Sequence, residues 1–363
     1  MPNYLDKIAS EFIAKGADRE SVADESHLLN DTEAAVIKKT YVETLTAAGI
    51  LGVLGVLILY LPQYWFPEFF PNYHTKIFGF EFDLPLVSSV YGFILVYAEI
   101  YGLTYFNLKG VRKIAEVCQF PRKADVEYER HLTALVEAAL EKENKGLVAF
   151  GINPYLGLPK WVLMLFFVFN KLKATLSNIF VKIFLKRFLG RYAVREVTDL
   201  AGIPIFAFWN VWASHWVIHE AKIRIIAPQT VRLFIRELSL KMADNEQFQS
   251  IILEALQFVS ILKRQYNYSH FLLTEDLIKT FKIQDFVIKG NFLERLEQCE
   301  VEVRKSLEQL IVFGVLIDGD LNWLEKSRLK KMIDANLLSY SMDEIEQIGR
   351  DYEAGKGMKI NSK

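Results

Sequence analysis

Eighteen residues from Thr44 to Leu61 (TLTAAGILGVLGVLILYL) pass without a charge, and a second apolar stretch, Leu84 to Leu108, carries only Glu99. As a helix the first run rises roughly 27 Å, about the hydrocarbon thickness of a bilayer. The pattern predicts a two-helix transmembrane hairpin over residues 31–108. Asn30 and Glu33 have the spacing of a capping box, so the first helix is expected to begin there and run through Lys38 and Lys39 into the span. About forty mixed-charge residues precede the span and no small-residue cleavage site follows it, which is not the layout of a removable signal peptide. Gly49, Gly52 and Gly55 recur three apart, and Ala48 with Gly52 makes a small-xxx-small pair, a face that lets another helix approach closely.

Residues 1–30 are mixed in charge, with a short amphipathic piece at Tyr4 to Ala14, and read as a cytosolic N-terminal element. The connector 62–85 is rich in aromatic residues and has Lys76 as its only Lys or Arg, whereas Lys109, Arg112, Lys113, Arg122 and Lys123 follow the second span. That bias puts the connector outside and both flanks in the cytoplasm. Residues 109–146 hold a cytosolic amphipathic helix, with Leu132, Leu135, Val136, Ala139 and Leu140 on its apolar face and Gly146 as its stop.

Over 147–227 the pattern is that of membrane-embedded or interfacial basic helices. Lys171, Lys182 and Lys186 fall on one stripe of a helix whose other faces are Ile, Phe, Val and Leu. Trp209, Trp212 and Trp216 share one face of Leu200 to Ile218, which reads either as a helix in the inner interface or as a span packed with the first two. The Lys and Arg residues between Trp161 and Leu200 weigh toward two full spans plus a basic hairpin on the cytoplasmic side. From Pro228 onward the periods are those of soluble helices, and LEALQFVSILKRQ from Leu253 is matched by LEQLIVFGVLIDG from Leu307. Two such helical hairpins packed face to face bury both apolar stripes, so 228–363 is expected to be one domain.

The fold class is thus all-α, transmembrane helices plus a soluble C-terminal helical domain. Apolar residues make up 52% of 363, enough for both a membrane region and a separate core. A net charge of −1 supplies no basic field, and nucleic acid is not an expected partner. Cys118 and Cys299, the only cysteines, are far apart in segments read as cytosolic, which points to a reduced compartment. No GxxxxGK[ST], GxSxG or HExxH occurs, so no enzymatic activity is expected.

Candidate chemistry is sparse. Glu99 is an ionisable group inside a span, costly there and retained for a reason: it either hydrogen-bonds a neighbouring helix as a packing device or serves a proton or ion path. His215, His219 and Glu220 form the only metal-like cluster, two His at i and i+4 on one helix face. The same side chains, beside the tryptophans, Lys222 and Arg224, also suit the headgroup level of a bilayer.

In the second copy of the repeat, Leu316-Ile317-Asp318-Gly319-Asp320-Leu321-Asn322-Trp323-Leu324-Glu325 resembles the acidic xDGx(5)E turn of TerB-like domains, the tellurite-resistance-associated helical fold. The resemblance covers roughly Val231 to Tyr352. It implies a cytosolic module of membrane-linked stress systems and a divalent cation held by Asp318, Asp320 and Glu325. The first copy departs from the pattern, with Arg264-Gln265 where an acidic pair would stand. The membrane half resembles bacterial membrane proteins that carry such a tail, which implies a bacterial inner membrane, and the charge bias places both termini in the cytoplasm. The residues themselves offer a competing account without a cofactor: Gly319 suits the C′ position ending a helix from Phe292, and Asn322 with Glu325 is spaced as a capping box. An EF-hand is excluded, because its register would put Trp323 where the loop needs Gly and Leu329 where it needs Glu. The expected function is a non-enzymatic inner-membrane protein with a scaffolding or sensing domain. Its expected partners are the lipid bilayer and a second copy or a membrane complex. The alternative is a transporter or channel component using Glu99 and the 200–218 helix.

Overall fold

The computed structural model describes residues 4–15, 29–77, 80–84, 86–141, 151–159, 161, 163, 164, 198–283 and 292–360. Lys171, Lys182 and Lys186 lie outside them. The chain divides into two compact units, one of residues 38–111 and 159–218, the other of residues 1–37, 112–158 and 219–363.

The first unit is a three-helix assembly among its described residues, built from α2 (Asp31–Trp65), α3 (Leu86–Val117) and the start of α5 (Thr198–Met242). α2 and α3 are long and apolar enough to cross a membrane, and only 22% and 6% of their most apolar windows are buried. A soluble core helix would show the reverse, because its apolar stripe faces inward. Here Ile50, Leu54, Ile58, Phe93 and Ile94 face outward, while small and polar residues face in.

Glycine sets how closely these helices approach. A Cβ on Gly52 would lie 2.8 Å from the Cα of Ala207, and one on Gly49 would lie 3.2 Å from Val211, so α2 meets α5 backbone to backbone. Ala48 is fully buried on the same face. Because Gly52 meets Ala207 while Gly49 meets Val211, α5 runs antiparallel to α2. The stretch Leu200 to Ile218 therefore packs lengthwise with the two long helices. Pro62 interrupts the regular hydrogen bonding of α2, since it has no N–H to offer the carbonyl of Ile58. Tyr91 of α3 supplies the donor instead, its hydroxyl 2.7 Å from that oxygen.

The described elements are helical, as the all-α expectation has it, except for a two-stranded hairpin in the connector. Strands β1 (Tyr73–Ile77) and β2 (Phe80–Leu84) pair antiparallel, with Tyr73 opposite Leu84 and Ile77 opposite Phe80. The period-two run Phe80, Phe82, Leu84 between Glu81 and Asp83 carries that signal, and the aromatic content of the segment hides it.

The second unit joins α1 (Tyr4–Ala14), α4 (Tyr128–Ala139) and the rest of α5 to a run of shorter helices. Residues 219–363 make up its C-terminal part. α4 is shorter than its sequence pattern, ending at Ala139 with Glu141 in the left-handed region. The repeat is realised as two helical hairpins, α6 (Glu246–Lys263) with α7 (Tyr268–Thr280), and α9 (Val301–Leu316) with α10 (Trp323–Asp334). The helix expected from Phe292 is interrupted, α8 (Phe292–Glu297) stopping before α9 starts. α11 (Met342–Glu353) closes the unit.

α6 and α9 form the principal helix pair, and they cross where Gly314 leaves room for Val259, 2.9 Å from a Cβ built there. Leu256, Leu310, Phe313 and Val259 are fully buried at this crossing, and Phe313 stacks on Phe234 at 3.9 Å. Each such side chain contributes about 1.5–3 kcal/mol on leaving water. Asn267, Asn322 and Ser341 cap α7, α10 and α11, each in a reciprocal capping box.

Candidate functional site

The acidic turn between α9 and α10 is built by two local devices. Gly319 takes the left-handed conformation, φ +70°, that lets α9 stop, and a Cβ there would collide with Ile223. Asn322 then opens α10 and fixes Glu325, whose Oε2 accepts from the Asn322 N–H at 3.1 Å and whose Oε1 accepts from its side-chain amide at 2.6 Å. Asp318 is held the same way, accepting from the N–H of Asp320 at 3.3 Å. Two carboxylates and the carbonyl of Asp320 thus converge.

They converge on Lys263, the last residue of α6. Its Nζ lies 2.9 Å from Asp318 Oδ2, 2.7 Å from Glu325 Oε2 and 2.7 Å from the Asp320 carbonyl oxygen. An ammonium has three donors and here meets three acceptors. All three side chains are buried. Among the described residues no group of three or more His, Cys, Asp or Glu is arranged to hold a metal ion. The donor set expected for a divalent cation fits a cation the chain already supplies, and a metal would have to displace it. Asp320 contributes its backbone, not its carboxylate.

Burial dominates the proton affinities. It pulls the Lys263 ammonium down, but the two carboxylates beside it reverse this and hold its pKa above the ordinary value. Burial raises Asp318 and pushes Glu325 up to about 7, with Lys263 pulling both back. One ammonium thus serves two carboxylates, and Glu325 takes a proton near neutrality. The first hairpin reaches back across the pair, since His270, the third residue of α7 and partner of Asn267 in its capping box, is buried with Nε2 2.8 Å from the Gly314 carbonyl. Burial depresses its pKa to about 3, so it is neutral.

Glu99 lies inside the three-helix unit. Its Oε1 accepts from Asn210 Nδ2 at 2.7 Å, and its carboxylate rests 3.3 Å from where Gly55 would carry a Cβ. Two turns along, Ser214 donates to Asn107 at 2.7 Å. Both pairs tie α3 to α5, as interhelical hydrogen bonds in membranes do.

His215, His219 and Glu220 fall in different units. His215 Nδ1 lies 2.9 Å from the Tyr41 hydroxyl, with Trp212 and Trp216 against its ring. In the other unit, Glu220 accepts from Arg224 at 2.8 Å. Trp209, Trp212 and Trp216 share an outward face, 39–50% exposed. Sequence reasoning missed Lys263, though one signal was available: corresponding turns of the two repeats carry opposite charge, Lys263-Arg264 against Asp318 and Asp320. His131, buried with Nδ1 2.7 Å from the Tyr268 hydroxyl, had no such signal. No family model, curated protein or solved structure matches the chain.

Proposed function

We propose that the chain is a non-enzymatic protein of a bacterial inner membrane, with both termini cytoplasmic. Its TerB-like pair of hairpins acts as a fixed scaffold for a second copy or a membrane complex. The observation that carries this reading is the Lys263 ammonium within the acidic turn, which leaves that turn no open valence for a regulatory ion. An acidic turn already occupied by an ammonium of its own chain suits a domain that holds a shape better than one that responds to metal. The outward apolar faces of α2 and α3 support membrane residence.

Two measurements on the full-length protein in detergent test it. Calcium and magnesium are expected to leave the melting temperature unchanged, whereas a ligand at 100 times its Kd would stabilise by about 2.7 kcal/mol. A metal-dependent rise that disappears when Asp318 and Asp320 are replaced would make the domain an ion sensor. Recovery from native membranes with neither a stable partner nor self-association would remove the scaffold reading. A transporter or channel component is the second reading, favoured by Glu99 with Asn210 inside the three-helix unit. Ion flux in proteoliposomes that Glu99→Gln abolishes would support it.

A further inference from the structure

A cavity of about 340 Å³ lies in the hairpin unit where three segments meet, Leu29 to Glu33, Cys118 to Asp125 and Ile225 to Arg232. That is within the size range of small-ligand sites. Its lining is apolar at Leu29, Phe120 and Ile226 and balanced in charge elsewhere, with Arg122 and Arg232 against Glu33 and Asp125, and Arg232 Nη2 3.6 Å from Asp125 Oδ1.

Gln119 is the telling residue. α3 ends in a Schellman motif, Gln119 N–H donating to Glu116 and Phe120 N–H to Ala115, with Gln119 at the left-handed C′ position, φ +48°. Glycine fills that position without strain. Glutamine adds a second penalty, because its Oε1 is buried with no hydrogen-bond partner. A residue that is costly in both backbone and side chain, on the wall of a cavity, is a binding candidate. Covalent chemistry is not on offer there, since burial and Glu33 push the Cys118 thiol up to about 12 and keep it protonated.

We infer that this cavity binds a zwitterion carrying a primary ammonium and a phosphate ester. The ammonium supplies the N–H that Gln119 Oε1 lacks and the positive charge that Glu33 and Asp125 attract. The phosphate suits the planar donor forks of Arg122 and Arg232. Such a group comes either from a phosphoethanolamine lipid or from a soluble phosphoethanolamine ester. Two of the lining segments adjoin in the chain the helices long and apolar enough to cross a bilayer, Leu29 to Glu33 at the start of α2 and Cys118 to Asp125 just after α3.

The test is a thermal-shift titration of the full-length protein in detergent with phosphatidylethanolamine, phosphatidylcholine of the same acyl chains, and glycerophosphoethanolamine. Phosphatidylcholine has the same charges but no N–H. Phosphatidylethanolamine is expected to stabilise at tenfold or more lower concentration than phosphatidylcholine. An equal response to glycerophosphoethanolamine assigns the soluble source, and a response to the lipid alone assigns the membrane. Gln119→Gly is expected to melt higher without ligand, because its backbone strain is relieved, and to lose the discrimination. Equal stabilisation by both lipids, no response to any of the three compounds, or a Gln119→Gly variant that discriminates like the parent would overturn the assignment.

Discussion

Lys263 is the single side chain that decides what the acidic turn does. Replacing it with Met keeps the stem and removes the charge, leaving Asp318 and Glu325 buried with no cation between them. Breaking a buried pair from one side costs about 3–5 kcal/mol, and denaturant unfolding of Lys263→Met should show a loss of that order. Adding Glu325→Gln should recover part of it; full additivity of the two losses would mean that they do not share the site. The same geometry makes stability depend on pH. Glu325 titrates near 7 in the folded chain against an ordinary 4.5, so the folded state binds more protons between those values and loses stability as pH rises through them. His270 opposes this from about 3 to its ordinary 6.5, being held neutral by burial. The contributions separate by difference, since Glu325→Gln should remove the decline toward pH 7 and leave the His270 rise at lower pH. Melting curves of parent and variant that run parallel from pH 5 to 8 would refute the assignment.

At the scale of elements, glycine governs both units. Gly52→Leu would drive a side chain into the backbone of Ala207 and should separate α2 from α5, which a cysteine pair placed across that contact would report as lost cross-linking. Gly314→Leu should prevent the α6 and α9 crossing at Val259, and loss of cooperative unfolding is the measurable outcome. Local features such as these were legible in the sequence. The Asn30 box forms, the Glu33 N–H donating to Asn30 Oδ1 at 2.8 Å. Gly319 and Asn322 terminate and open helices as their types dictate, and the repeated Leu pattern gives the paired hairpins. What escaped is set by long-range contact: Lys263 meets Glu325 across the fold, Asn210 meets Glu99 between helices, and nothing in either local pattern announces the other. The β-hairpin escaped for a different reason, because aromatic content masked its alternation.

For the whole molecule the lengthwise packing of α5 bears on which helices share the bilayer. Gly52, near the middle of the first apolar run, lies level with Ala207. From Ala207 back to Thr198 is about nine residues, roughly 13 Å of helix, which brings the start of α5 level with Leu61 at the outer end of α2. If α2 and α3 cross the bilayer, α5 crosses with them, from outside to inside. Charge bias suggested two spans and a basic interfacial hairpin, and the lysines of that hairpin lie outside the described residues. The positive-inside tendency is a statistical preference of insertion, whereas the packing of Gly52 on Ala207 brings two backbones into contact. Arg195→Cys, in a background with Cys118 and Cys299 replaced by Ser, should react with a membrane-impermeant maleimide added to intact cells or right-side-out vesicles. Reaction only after the membrane is opened would place the start of α5 inside.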